Sequence, residues 1–168
     1  MLEPFISAPT HIQIHAAAAT LAIVIGPFAL FARRRGQMHK TLGYIWVIAM
    51  LIVATTAFFI HSFPVVGPFS PIHLLAVLTY WSIWRAMRAV LAGRIAEHRA
   101  TMRSLYFNGL VIAGLANFLP GRTTNRTFFP QSPDAGYVVI ALGAVLLMAF
   151  WVHSSRSKPS LPKSAVAV

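Results

Sequence analysis

The chain has 168 residues, 57% of them hydrophobic and only 10% charged, with a net charge of +11 and no cysteine. A soluble domain carries roughly 25% charged residues, so this composition points to an all-α integral membrane protein. Without cysteine there is no disulfide, thiolate ligand or thiol nucleophile. The positive charge gathers in short segments between apolar runs, which is the footprint of membrane topology and not of nucleic-acid binding.

Residues 1–10, with Glu3, Pro4 and Pro9, read as a short external lead. They do not read as a cleaved signal peptide, because the basic residues follow the first apolar run instead of preceding it. Five apolar segments come next, at about 11–32, 42–60, 72–92, 102–119 and 137–152. A helix needs about 20 residues to cross ~30 Å of hydrocarbon, so the second and third fit directly. The last two are short, and Arg103 and Arg156 are placed to snorkel. The expected architecture is a bundle of five transmembrane helices in one domain, residues 1–153. Helices one to four form the bundle and helix five packs outside it. A disordered cytoplasmic tail rich in Ser, Pro and Lys follows at 154–168.

Orientation follows from the cations. Arg33, Arg34, Arg35 and Lys40 lie between the first two segments, Arg85, Arg88, Arg94, Arg99 and Arg103 around the turn between the third and fourth, and Arg156, Lys158 and Lys163 in the tail. If five helices alternate, these twelve share one side and only Arg122 and Arg126 face the other. The positive-inside rule then puts the N-terminus outside and the C-terminus in the cytoplasm of a bacterial inner membrane.

Four histidines mark the segment ends: His15 and His73 at the outer side, His39 and His98 at the inner. In an up-down bundle the first and third helices are diagonal, as are the second and fourth. His15 therefore pairs with His73, and His39 with His98. Imidazole ligates iron, copper and zinc, and haem iron takes two axial histidines. The propionates of a shallow haem b would meet Arg34, Arg35 or Arg99. His11 and His15, four residues apart, share a helix face, and with His61 or His73 they make a candidate zinc or copper site. The glutamate of a hydrolytic zinc motif is absent from His-Ile-Gln-Ile-His, so hydrolysis is not expected. The three acids, Glu3, Glu97 and Asp134, lie outside the apolar segments, which leaves no carboxylate proton relay. The competing structural role is interfacial: a histidine in the wet headgroup layer needs no ligand, and small residues in membrane helices serve close packing.

The strings His39-Lys-Thr-Leu-Gly43-Tyr44, Gly67-Pro68-Phe-Ser70-Pro71-Ile-His73-Leu, His98-Arg99-Ala-Thr-Met102 and Phe118-Leu-Pro-Gly121-Arg122 resemble a family of small bacterial inner-membrane proteins whose domain has no assigned function. The resemblance covers about residues 10–125 and implies a multi-pass membrane fold. Lys40 departs from the arginine usual there. The layout is also similar to that of di-haem b-type cytochromes. Three functions are open at this level. One is a cytochrome passing electrons across the membrane. The second is a metal-binding membrane protein using His11, His15, His61 and His73. The third is a non-catalytic subunit or assembly factor of a larger membrane complex or homo-oligomer.

Overall fold

The structure is a computed structural model, and it describes residues 3–31, 36–60 and 70–156. Among these residues the only regular structure is helical: α1 (Glu3–Ile6), α2 (Thr10–Phe31), α3 (Gln37–Ala57), α4 (Pro71–Leu91), α5 (Ile95–Ser104), α6 (Ile112–Ala116), α7 (Thr123–Phe128) and α8 (Ala135–Arg156). A π-helical segment, Leu105–Val111, joins α5 to α6 without a break, making one helical rod. Helices α2, α3, α4 and α8 are long and apolar enough to cross a membrane. The fourth apolar segment belongs to the rod, which also takes in polar residues before it.

Two helix starts differ from the hydropathy pattern. Helix α3 begins at Gln37 and not near residue 42, and the rod begins at Ile95 and not near 102. Hydropathy locates the apolar window, but polar residues such as Lys40, Glu97 and Arg99 extend a helix beyond it without cost in water. The consequence is that His39 and His98 lie within helices. The anticipated boundary at residue 153 falls inside α8, which runs on to Arg156 in place of the expected disordered tail, and residues 157–168 lie outside the described residues.

Helices α2, α3, α4 and the rod pack in sequence around a core, and the rod closes the ring against α2. Thus α2 and α4 are diagonal, as are α3 and α5. The interior is lined by small side chains, among them Ala22, Ala49, Ala54, Ala76, Ala86 and Ala89, which let the helices approach closely. Bulky apolar side chains point the other way: Phe28 is 65% exposed and Leu146 71%. A surface of that kind has hydrocarbon, not water, as its solvent. Helix α8 docks outside the ring, on the rod, with Phe150 stacked on Phe107 at 4.7 Å and Gly143 against Leu115.

One covalent fact organises the centre. Pro27 lies inside α2 and has no N–H, so the carbonyl of Ile23 loses its intrahelical partner. The Tyr106 hydroxyl, in the π-helical segment, donates to that oxygen at 3.1 Å. Gly26 makes room, since a Cβ there would collide with the Tyr106 ring. On the adjacent face, the Trp46 indole N–H donates to the Ala22 carbonyl at 3.0 Å.

Tyr106→Phe should therefore destabilise the protein by about 1 kcal/mol, the typical worth of one buried hydrogen bond. Pro27→Ala restores a local N–H for Ile23. The double variant Pro27→Ala plus Tyr106→Phe should lose less stability than the two singles added, measured by unfolding in detergent. Strict additivity would show that the proline and the tyrosine are not linked through Ile23.

Candidate functional site

In α3, α4 and α5 a first-turn histidine reaches back to a carbonyl of the preceding helix or its end. His39 of α3 holds Ala29 of α2 at 3.0 Å through Nδ1. His98 of α5 holds Ala86 of α4 at 3.0 Å, also through Nδ1. His73 of α4 holds Phe58, the residue that caps α3, at 3.2 Å through Nε2. Each bond fastens one helical hairpin, so the histidines are part of why the bundle closes.

The choice of nitrogen separates them chemically. A carbonyl only accepts, so Nδ1 of His39 and of His98 carries the proton, and in the neutral ring Nε2 keeps its lone pair. His73 is the reverse. Its Nδ1 accepts the Ser70 N–H at 3.0 Å, with the Ser70 hydroxyl 3.2 Å away, and its Nε2–H is given to Phe58. It fills the place of the glutamate in a capping box at the start of α4, where Pro71 also needs no N–H partner. Both ring nitrogens of His73 are thus engaged in the fold.

His39 and His98 line one cavity of about 630 Å³ at the end of the bundle where α2 and α4 finish and α3 and α5 begin. Leu30, Val47, Met87 and Met102 supply apolar wall, and Lys40 and Arg99 also line it. The diagonal pair anticipated from the sequence is therefore brought to a shared space. The outer pair is not joined by a comparable feature. His15, half-buried in α2, gives its Nδ1–H to Thr56 of α3 at 2.9 Å, since the Thr56 hydroxyl proton is taken by Ile52. His11 lies with its ring 6.5 Å from Phe59. Among the described residues no three histidine, cysteine or carboxylate groups gather to hold a metal ion. His61, the fourth candidate, lies outside those residues. At that same end α1 packs on α7, and buried Asn125 holds the carbonyls of Phe118 and Pro133, both at 2.8 Å. Asn125 is accordingly a buried structural residue.

Glu97 sets the position of His98. Arg85 of α4 donates to its Oε1 at 2.9 Å, and Arg94, just past the positive-φ Gly93 of the α4–α5 turn, donates to its Oε2 at 2.8 Å. Residues 97 and 98 thus tie to 85 and 86 side by side. The sequence pattern exposed the histidines but not this pairing, nor Lys40 as a cavity residue; the one signal for it was a cation immediately after each inner histidine.

The hydrogen bonds from Arg85 and Arg94 hold the Glu97 carboxyl below its ordinary range. A carboxyl held low stabilises the fold above its unfolded-state value, and that contribution disappears as pH falls through the folded value. Melting in detergent between about pH 6 and about pH 3 should show an acid-side loss that Glu97→Gln removes. An unchanged acid limb in the variant would assign that loss to other groups.

Residues 12–152 match the family described as "Predicted membrane protein (DUF2306)", and the chain belongs to that family. No curated protein and no solved structure matches the chain.

Proposed function

We propose that this member of the predicted membrane protein family holds haem b between His39 and His98 and serves as a small electron-transfer component of the bacterial cytoplasmic membrane. The observation that carries the proposal is the tautomer: two diagonal imidazoles line one apolar cavity, each anchored through Nδ1–H to a backbone carbonyl, each keeping Nε2 for a ligand. Metal-binding histidines are generally oriented by such a bond from the other ring nitrogen. A cavity of this volume is in the range of small-molecule and cofactor sites. An iron porphyrin held by two histidines would supply one-electron transfer. His39 and His98 would hold its iron, while Leu30, Met87 and Met102 would keep water from its faces. Two imidazoles fall short of the four ligands of a closed zinc site, so zinc or copper fits less well here.

The excess of lysine and arginine at this end supports the orientation with the cavity facing the cytoplasm and the N-terminus outside. The engagement of both His73 nitrogens is the reason that no outer haem is included. A second reading has its own support. The same three hydrogen bonds fasten hairpins whether or not anything binds, which is the arrangement of a cofactor-free subunit of a larger complex.

An absorption spectrum of protein purified after haem-replete expression, before and after dithionite, separates the two. Haem binding predicts a Soret band with sharpened reduced bands, lost in His39→Ala and in His98→Ala and kept in His73→Ala. His73→Ala should instead cost about 1 kcal/mol of stability, the usual worth of a helix cap. A featureless spectrum under those conditions would falsify the haem proposal and leave the cofactor-free subunit.

A further inference from the structure

Resting on the bis-histidine reading, we infer that the cavity takes a ligand carrying two carboxylates and that Lys40 and Arg99 are the residues that recognise them. Among the described residues the cations at this end of the bundle sort into two groups; Arg33, Arg34 and Arg35 lie outside those residues. Arg85 and Arg94 are both bonded to Glu97. Arg88 lies 5.1 Å over the Trp84 ring, and Arg103 lies 5.4 Å over the Phe31 ring. Lys40 and Arg99 line the cavity together with Arg103, and Lys40 and Arg99 have neither an acid nor an aromatic ring as partner among the described residues.

Among the described residues no side-chain acid is left to offer them. Of the chain's three acids, Glu97 is committed, Glu3 lies in α1, and Asp134 precedes α8 at the opposite end of the bundle. The placement also repeats. Lys40 follows His39 and Arg99 follows His98, so the two diagonal helices each present an imidazole with a cation next to it in the chain to the same space, to which α5 adds Arg103. Positive charge lining the same cavity as the two imidazoles repels a bare divalent ion and attracts an anionic ligand. A metal centre for the imidazoles and two acids for the cations together describe a dicarboxylate metalloporphyrin.

The probes are iron protoporphyrin IX and its dimethyl ester, titrated into the full-length apoprotein in neutral-lipid vesicles and followed by Soret absorbance and by quenching of Trp46, which lines the cavity. The diacid should bind roughly tenfold more tightly than the ester, as expected for charge-assisted contacts. In Lys40→Gln plus Arg99→Gln that preference should collapse, with the bis-histidine spectrum retained. Equal binding of acid and ester by the unaltered protein, or a preference that survives the double substitution, overturns this inference and leaves the bis-histidine site standing. Binding of neither probe overturns both. A lipid phosphate shares the carboxylate's anionic chemistry. If the preference vanishes when anionic lipid replaces neutral lipid, the two cations serve headgroups and the inference fails.

Discussion

Proline at position 27 takes a backbone N–H out of the interior of a long apolar helix, and the carbonyl of Ile23 must then find its partner elsewhere. In hydrocarbon there is no water to supply one. The donor is Tyr106, and because its ring must lie against Gly26 to reach, the contact sets how closely and at what height the rod approaches α2. The same rod begins with His98. A constraint at the centre of the bundle therefore propagates to the end that holds the cavity. Trp46, bonded one residue earlier on α2, does the same for α3, the helix that carries His39.

Much of this architecture was legible in the sequence. Five spans were expected and four described helices are long and apolar enough to cross a membrane, the fourth apolar segment being part of the rod; the diagonal relation of alternate helices followed from up-down order, and the last long helix packs outside the ring. What hydropathy did not show was where α3 and α5 begin. Their first turns carry Lys40, Glu97 and Arg99, polar residues that are compatible with a helix in water but invisible to an apolar average. The Pro27–Tyr106 link was present in the letters as well. Pairing a proline with a tyrosine almost eighty residues away, however, requires knowing which helices touch.

The candidate site divides in the same way. His39 and His98 were recognisable from their positions at the segment ends, yet spacing gives no information on tautomer. Only the carbonyls of Ala29 and Ala86 show which nitrogen is protonated. His73 looked equivalent to them in sequence and is not, because Ser70 presents an N–H where they meet an oxygen. Helix fastening by the inner pair uses one nitrogen of each ring and leaves the other uncommitted.

The opposed tautomers also leave the two ends of the molecule with different reserves of histidine chemistry. At the end where the cavity lies, His39 and His98 each spend one ring nitrogen on a carbonyl. At the end covered by α1 and α7, His73 spends both, one on Ser70 and one on Phe58. Fastening the hairpins therefore exhausts the imidazole at one end and only half consumes it at the other.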